Sequence, residues 1–342
     1  MKKTLLTALA LTLFAAALSI LAVIAVPPAN TPPAAYPAAS AAASSPPSET
    51  LRPVPAGIAD DKFVVRLKNG DTVTEISMRD YLISAVAGEM PANFEPEALS
   101  AQACAIRTYV LYHMQPGYGR HDDADVCTSS SCCLAFKDEA ALREKWGDSY
   151  VTNMNKIADA ADASDGVYIT YASAPILAAF HASSFGSTED CFSVWGGDYL
   201  YLRSVSTPET EADVPNLVSS VTVSVSDFIE TVTKAYPEAK FPDDVSKWNA
   251  DMSFDPAGRL EALRVGGVSI PGAELRRIFS LRSTAVSVIF GDEIVMTTSG
   301  SGHGVGMSQY GANLMAKQGL AWRDILRAYY TGVGFSDDDV SF

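Results

Sequence analysis

The chain has 342 residues, of which 48% are hydrophobic and 19% are charged. It is long enough to bury a large core and is not typical of a disordered protein. Its 25 basic and 40 acidic residues give a formal net charge of −15, and such a chain repels phosphate backbones, so nucleic acid is not expected as a partner. Five cysteines are too few for a disulfide-dense scaffold, and their odd number leaves at least one thiol unpaired or bound to another group.

The chain begins with a long apolar segment. Residues 4–26 carry no charged side chain and follow Lys2 and Lys3. At about 1.5 Å per residue, this segment can cross a bilayer core of roughly 30 Å. Because no clear small-residue cleavage site precedes Pro27, residues 1–26 are predicted to be an uncleaved membrane anchor rather than a signal peptide. The two lysines then stay in the cytoplasm and the rest of the chain lies outside.

The remainder divides into a linker and a globular region. Residues 27–58 are rich in Pro, Ala and Ser and are predicted to form an extended spacer. Residues 59–342 mix strand and helix patterns without regular βαβ alternation, so we expect an α+β fold, a single large mixed domain with a substrate groove. The predicted elements are a hairpin closed by Asn69-Gly70 and helices near 77–88, 95–114, 137–145 and 308–330.

The first predicted helix ends in a carboxylic acid. Ser77 and Asp80 form a capping-box pattern at its start, and the apolar face ends at Gly88, just before Pro91. Glu89 therefore lies at a helix C-terminus beside an apolar flank, where both the helix dipole and desolvation raise the pKa of a carboxyl group. A general acid needs such a raised pKa. A solvated glutamate at a helix end is the alternative interpretation.

The second predicted helix contains a cation in apolar surroundings. Arg107 follows Cys104-Ala105-Ile106, where an unpaired guanidinium would be costly to bury. It is therefore expected to reach either a carboxylate, as a structural ion pair, or a bound anionic group. The residues themselves leave both possibilities open.

A cluster of metal-ligating residue types follows. His121, Cys127 and Cys133 lie within 13 residues of one another, with Cys132 adjacent. Zinc favours such nitrogen and sulfur ligands, although the spacing is not that of a standard zinc finger. A cysteine pair or free thiols are the alternatives, and a fourth ligand could be water, Cys132 or a group elsewhere. Cys104, in the alanine-rich helix, is expected to be buried, and a pairing with Cys191 depends on geometry.

Short blocks between residues 80 and 332 form a signature that extends over nearly the whole globular region. They are Ala87-Gly88-Glu89-Met90-Pro91, Ala105-Ile106-Arg107-Thr108-Tyr109, Ala179-Phe180-His181, Gly302-His303-Gly304-Val305-Gly306 and Tyr329-Tyr330-Thr331-Gly332. In this order the blocks resemble the stage II sporulation protein D family and the related amidase-enhancer proteins.

The resemblance implies a membrane-anchored lytic transglycosylase that cuts peptidoglycan during septal wall remodelling and engulfment. It implies an ectodomain on the cell-wall side of the mother-cell membrane, facing the forespore septum. The implied partners are denuded glycan strands, an amidase of the stage II sporulation protein P type and other engulfment membrane proteins. The family's catalytic glutamate and arginine fall on Glu89 and Arg107. Candidates for the sugar groove are Ser183, Tyr201, His303, Gln309 and Tyr330.

The resemblance also bears on the metal. Some family members show His, Cys and Cys in the register of His121, Cys127 and Cys133, which implies one zinc ion with a structural role. In those members the second cysteine usually follows a His and precedes a Gln, whereas Cys132 and Leu134 occupy these two positions here. The three implied ligands are intact, and Cys132 is a possible competitor.

The implied chemistry needs one carboxylate, whereas an ordinary glycosidase needs two. Protonated Glu89 would donate to the oxygen between N-acetylmuramic acid and N-acetylglucosamine. It would then remove the C6 hydroxyl proton, and ring closure would give 1,6-anhydro-N-acetylmuramic acid. Arg107 would orient Glu89 or hold a lactyl carboxylate, and the aromatic candidates would stack on sugar rings.

Other functions are weaker readings of the same residues. The main alternative is a non-catalytic wall-binding enhancer of a peptidoglycan amidase, as proposed for the amidase-enhancer relatives. A zinc amidase lacks the expected ligand spacing, and a serine nucleophile at Ser183 or Ser184 lacks a Gly-x-Ser-x-Gly elbow. The glycines at 302–306 lack the Gly-Lys-Ser/Thr ending of a phosphate loop, so close packing is the favoured explanation for them.

Overall fold

A computed structural model describes residues 57–338 of the chain. The helices are α1 (Met78–Glu89), α2 (Pro96–His113), α3 (Glu139–Trp146), α4 (Tyr150–Asp162), α5 (Cys191–Trp195), α6 (Val225–Ala235), α7 (Gly272–Ile278), α8 (Gln309–Lys317) and α9 (Trp322–Tyr329). The strands are β1 (Val64–Asn69), β2 (Thr72–Ser77), β3 (Val126–Cys127), β4 (Ile169–Tyr171), β5 (Ala174–Pro175), β6 (Phe180–His181), β7 (Val218–Ser224), β8 (Asp251–Phe254), β9 (Leu260–Val265), β10 (Val268–Pro271), β11 (Val286–Phe290), β12 (Glu293–Ser299), β13 (Met307–Ser308) and β14 (Gly334–Phe335). The predicted α+β class is confirmed.

The N-terminal predictions lie almost entirely outside this range. The predicted anchor at 1–26 and the linker at 27–58, apart from its last two residues, are outside the described residues. Within residues 57–338, every helix is too short or too polar to cross a bilayer. The anchor therefore stays a prediction.

Local sequence signals account for the first elements. Strands β1 and β2 pair antiparallel from Val64↔Ser77 to Asn69↔Thr72, and Gly70 supplies the positive φ of +59° that the tight turn between them requires. Ser77 then caps α1, its side chain accepting the Asp80 N–H at 3.0 Å. The predicted hairpin and helix start are both confirmed.

Helix α2 is the centre of the first hydrophobic core. It packs against α1, α4, α8 and α9, and its residues from Ala98 to His113 are all buried. Its alanines carry small side chains, which let neighbouring helices approach closely on several sides. The helix predicted near 308–330 is divided into α8 and α9, with the turn at Gly319 adopting a positive φ of +89°.

A second hydrophobic core lies between residues 218 and 299. Two three-stranded sheets, with orders β10-β9-β8 and β11-β12-β7, enclose it together with α6 and α7. Phe228 is its centre, with its ring stacked 5.7 Å from Trp248 and 5.2 Å from Phe279. The described residues thus contain two separate hydrophobic cores, a division that the sequence did not predict.

A buried ion pair joins the two cores. Arg259, just before β9, pairs with Glu189 of the first core, and both side chains are almost fully buried. Gly304 lies directly over this pair, where any Cβ atom would collide with both side chains, and its φ is +84°. The glycine block at 302–306 therefore serves close packing, as the sequence favoured, because a side chain at Gly304 has no room.

Candidate functional site

Glu89 is the last residue of α1, where the sequence predicted it. Its side chain is half-buried, and burial raises the pKa of its carboxyl group above the ordinary value of 4.5. A hydrogen bond from the Ala135 N–H opposes this effect and lowers the pKa in part. The predicted helix-end position and the direction of the pKa shift are confirmed, with burial as the principal cause.

The Glu89 carboxyl group is held by a loop distant in sequence. The Ala135 backbone N–H donates to Glu89 Oε1 at 2.6 Å. Gly88 makes this approach possible, because a Cβ at that position would lie 2.6 Å from the Ala135 carbonyl oxygen. An N–H can only donate, so Oε1 must remain an acceptor, and the proton of a neutral Glu89 resides on Oε2.

Glu89 faces a cavity of about 440 Å³, a size that fits small-ligand pockets. Among the described residues that line it, Glu89 is the one carboxylate. The lining also includes the cation Lys145 and the half-buried ring of Trp146, both at the end of α3, with Asn153 of α4. The remaining lining residues are Gly88, Met90, Pro91, Ala92 and Asn93.

Sequence reasoning missed the α3 and α4 contribution to this cavity. Lys145 and Trp146 end a short, charged helix in which Leu142 is the buried residue. Neither of the two belongs to a recognisable sequence motif. An aromatic ring adjacent to a lysine at a helix end was the available signal. Only the packing of α3 and α4 beside α1 brings these side chains to Glu89.

Arg107 makes a structural ion pair. Its guanidinium is 2% exposed and bonds the equally buried carboxylate of Asp60, with Nε to Oδ1 at 2.8 Å. Its Nη1 donates to the Val167 carbonyl oxygen at 2.8 Å and to Ser164 Oγ at 3.3 Å. Of the two pairings left open by the sequence, the carboxylate one is observed. Within residues 57–338, none of the hydrogen bonds of Arg107 reaches Glu89, and its family-derived catalytic role stays a prediction.

Four of the five predicted sugar-contact residues are buried: Ser183, Tyr201, Gln309 and Tyr330. Their polar groups mostly serve the fold. Tyr330 Oη donates to the Ala179 carbonyl, Tyr201 Oη accepts the Leu177 N–H, and Gln309 Nε2 donates to Gln102. Both tyrosine rings are enclosed by the core and present little surface for stacking on a sugar, and their role in the sugar groove stays a prediction.

His303 is the partly accessible member of that set. Its ring lies 5.0 Å from that of Trp195 and 5.8 Å from that of His181. Burial lowers the pKa of His303 to about 4, so the ring is neutral at physiological pH. Its Nδ1 accepts the Val305 N–H at 3.1 Å, which places the ring proton on Nε2.

Beneath His303 lies a buried polar network. His181 Nε2 and Ser184 Oγ are 2.6 Å apart, and the Ser184 N–H donates to Glu209 at 3.0 Å. Ser308 also donates to Glu209. Because His181, Ser184 and Glu209 are all buried, this arrangement offers no accessible nucleophile. This agrees with the sequence, in which Ser184 lacks the Gly-x-Ser-x-Gly elbow of a serine hydrolase.

The predicted metal ligands come together in space. One side-chain donor atom from each of His121, Cys127, Cys132 and Cys133 lies within 4.8 Å of all the others. Cys127 is on β3, which pairs parallel with β1, and the other three lie in the flanking loops. All five cysteines of the chain are free thiols here, so the possible pairing of Cys104 with Cys191 does not form.

The fold and the site define an α+β domain in which one half-buried acid, Glu89, lines a cleft among the described residues, and the loop that holds this acid continues from a histidine and cysteine cluster. A family model described as Stage II sporulation protein matches residues 67–171, the segment that contains Glu89, Arg107 and the cluster. The chain is 34% identical to Stage II sporulation protein D of Bacillus subtilis (strain 168) over 294 residues, or 85% of this chain and 82% of that protein.

Two further proteins are similar to this chain. Stage II sporulation protein D of Bacillus amyloliquefaciens is 34% identical over 292 residues, covering 85% of this chain and 81% of the relative. The Amidase enhancer of Bacillus subtilis (strain 168) is 26% identical over 302 residues, covering 73% of this chain and 39% of the relative. The chain belongs to the Stage II sporulation protein D family, which is involved in sporulation.

The buried ion pair predicts a large stability effect at Asp60. Replacing Asp60 by Asn leaves the Arg107 guanidinium buried without its counter-charge, which typically costs about 3–5 kcal/mol. We expect the free energy of unfolding to fall by this amount in urea titrations at neutral pH. Asp61→Asn is the matched control, because Asp61 is 53% exposed and pairs with exposed Lys62, a contact worth about 0–1 kcal/mol. Equal effects of the two changes would contradict the assignment.

A second prediction concerns Gly88. A methyl group in Gly88→Ala must displace Ala135, and the hydrogen bond that lowers the pKa of Glu89 is then weakened or lost. We expect the pKa of Glu89, followed by carbon-detected NMR titration, to rise above its value in the unaltered chain. Gly291→Ala is the control, because its Cβ would meet only the Glu293 carbonyl at 3.7 Å. An unchanged Glu89 pKa in Gly88→Ala would show that Ala135 does not hold the carboxyl group.

Proposed function

We propose that this protein is a peptidoglycan lytic transglycosylase. Its reaction would cleave the bond from N-acetylmuramic acid to N-acetylglucosamine in denuded glycan strands and leave 1,6-anhydro-N-acetylmuramic acid ends. Membership of the Stage II sporulation protein D family places the work in sporulation, and the proposal assigns it to septal wall remodelling during engulfment.

The observation that carries the proposal is the solitary carboxylate. Glu89 has a raised pKa and is the one acid among the described residues lining its cavity. Hydrolysis with inversion or retention uses a second carboxylate to activate water or to form a glycosyl-enzyme. A transglycosylase dispenses with that group, since the substrate's own C6 hydroxyl is the nucleophile.

The reaction then follows from the atoms around Glu89. Ala135 holds Oε1 as an acceptor, so Oε2 donates its proton to the glycosidic oxygen as the bond to C1 breaks. The resulting carboxylate removes the proton of the C6 hydroxyl, whose oxygen bonds to C1 and closes the anhydro ring. The acid is regenerated in the same turnover. Trp146 offers a ring for stacking on a sugar, and Lys145 offers a cation for the lactyl carboxylate.

The location and partners complete the proposal. Residues 1–26 would anchor the protein in the mother-cell membrane, with the domain facing the forespore septum. A partner amidase of the stage II sporulation protein P type would strip the stem peptides and supply denuded glycan, alongside other engulfment membrane proteins. An acidic chain with net charge −15 is consistent with the absence of nucleic acid from this set.

The proposal includes one zinc ion held by His121, Cys127 and Cys133. Their mutual closeness and the nitrogen and sulfur donor set fit zinc. When bound, a structural zinc stabilises the fold by cross-linking the chain at its ligands.

A non-catalytic enhancer of an amidase is the second candidate. The likeness to the Amidase enhancer of Bacillus subtilis favours it, and such a role would keep the fold and the cavity without requiring glycan cleavage. It predicts glycan binding without soluble sugar products.

The direct test is the chemistry of the products. We expect the purified full chain, incubated with peptide-stripped glycan, to release anhydro-terminated sugars detectable by mass spectrometry. Glu89→Gln preserves the acceptor for Ala135 but cannot supply the proton, so we expect turnover to fall at least about 10²–10⁴-fold. Glu75→Gln, at an exposed position on β2, should keep full activity.

The proposal also predicts the direction in which kcat/KM changes with pH. The active form has Glu89 protonated, so kcat/KM should fall as the pH rises through the pKa of Glu89, at a higher pH than for an ordinary glutamate near 4.5.

In the product analysis, reducing sugar ends would indicate hydrolysis and contradict the proposal. Glycan binding without products from any variant would favour the enhancer.

Trp146 is predicted to contribute to substrate binding. Replacing it by Ala removes the aromatic ring of the cavity, and loss of one stacking contact should raise KM about 2–10-fold with a smaller effect on kcat. Steady-state rates on glycan of defined length measure the change. The control is Phe254→Ala, since Phe254 is also an aromatic residue with an accessible ring, 46% exposed, but lies on β8 in the second core region. An unaltered KM for Trp146→Ala would remove this residue from the groove.

A further inference from the structure

Three of the four clustered donor atoms correspond to the proposed zinc ligands, and the fourth belongs to Cys132. From sequence, the fourth ligand was open between water, Cys132 and a distant group. We propose that Cys132 is the fourth ligand and closes the site as a Cys₃His centre, so that the metal is structural. This inference rests on the proposed zinc site and is independent of the proposed transglycosylase reaction.

The distances among the donor atoms of His121, Cys132 and Cys133 match the edges of a tetrahedral zinc site. His121 Nε2 lies 3.4 Å from Cys133 Sγ and 3.6 Å from Cys132 Sγ, and the two sulfurs are 4.0 Å apart. Zinc bonds of about 2.3 Å to sulfur and about 2.0–2.1 Å to nitrogen give tetrahedral edges of roughly 3.6–3.8 Å. Cys132 is thus as well placed as Cys133, and the Cys127 sulfur lies within 4.8 Å of all three other donor atoms.

The backbone already holds this arrangement. The N–H groups of Cys132 and Cys133 both donate to the Ser129 carbonyl, at 3.1 and 2.8 Å. This turn directs two consecutive side chains to one point, whereas an extended strand would send them to opposite faces. Arg120 Nη1 donates to the Cys132 carbonyl at 2.7 Å, and Arg120 directly precedes His121, so the two sides of the cluster are tied together.

Charge also favours three thiolates. A dication with three thiolates and a neutral imidazole carries one net negative charge, and Arg120, bonded to the Cys132 carbonyl, supplies a nearby positive one. Of the neighbouring acids, Asp123 pairs with Lys68 at 2.8 Å and Asp125 pairs with Arg66 at 2.8 Å. These carboxylates are therefore already compensated by other cations.

A zinc site closed by four protein ligands would affect Glu89 through the loop that holds its carboxyl group. Four protein ligands leave no position for water or substrate, which is the mark of a structural site. The effect of the metal is then mechanical. Ala135 follows Cys133 by two residues, and its N–H is the donor that holds Glu89. The ion would fix the turn that delivers this N–H.

The test uses the full chain and zinc alone. X-ray absorption at the zinc edge should show three sulfur neighbours and one nitrogen in the unaltered protein, with one zinc per chain by elemental mass spectrometry. In Cys132→Ser we expect two sulfurs, and zinc affinity in chelator competition should fall at least tenfold, because even changes around the ligands cost about 10–100-fold. In Cys132→His we expect two sulfurs, two nitrogens and near-normal affinity.

Cys104→Ala is the matched control. Cys104 is buried in α2, and the Val167 carbonyl that it contacts still accepts from Arg107, so zinc binding should be unchanged. Hydrogen exchange gives a readout of the mechanical role, since chelation should increase deuterium uptake at 128–136 but not in β7–β12.

Several results would overturn the inference. Two sulfurs in the unaltered protein, or an unchanged zinc affinity in Cys132→Ser, would exclude Cys132 as a ligand. A zinc-free protein with a disulfide among the three clustered cysteines, found by thiol titration, would exclude the metal site itself. None of these readouts uses glycan cleavage, so an inactive chain that holds zinc with three sulfurs would sustain this inference and refute the transglycosylase.

Discussion

The hydrogen bond from the Ala135 N–H to Glu89 Oε1 is the contact on which the site depends. It joins the end of α1 to a loop 46 residues further along the chain. Gly88 permits it by omitting a side chain where the Ala135 carbonyl passes. One contact therefore fixes the orientation of the acid and selects the oxygen that carries its proton. Burial raises the pKa of Glu89, while this bond limits the rise.

The framework around this contact relies on buried charge pairs that join distant segments. Arg107 of α2 bonds Asp60 at the start of the domain, and Arg259 of the second core bonds Glu189 of the first. Buried pairs of this kind add little net stability compared with apolar packing, but breaking one is costly. They also penalise any register in which the partners fail to meet. Polar residues that a family signature associates with function serve here in part to specify the fold.

The sugar-contact candidates must likewise be divided into residues that could meet a ligand and residues that only stabilise the fold. The blocks around Ser183 and Tyr330 lie in the first core and its buried polar network. A short block that identifies a family reports both catalytic and packing constraints. Burial separates the two, because only an accessible group can meet a polymer. By this criterion Glu89, Trp146 and Lys145 define the cavity, and Ala135, which holds Glu89, follows Cys133 of the histidine and cysteine cluster by two residues.

The sequence by itself determined the α+β class, the β1–β2 hairpin, the acid at the end of α1 and the metal-ligand types, because each depends on local spacing. It also carried the family resemblance. Tertiary structure alone decided which of the two open partners Arg107 takes, that Cys132 joins the cluster, and that Trp146 rather than Tyr330 lines the cavity. These outcomes depend on burial and on contacts between residues far apart in the chain, and no local pattern encodes them.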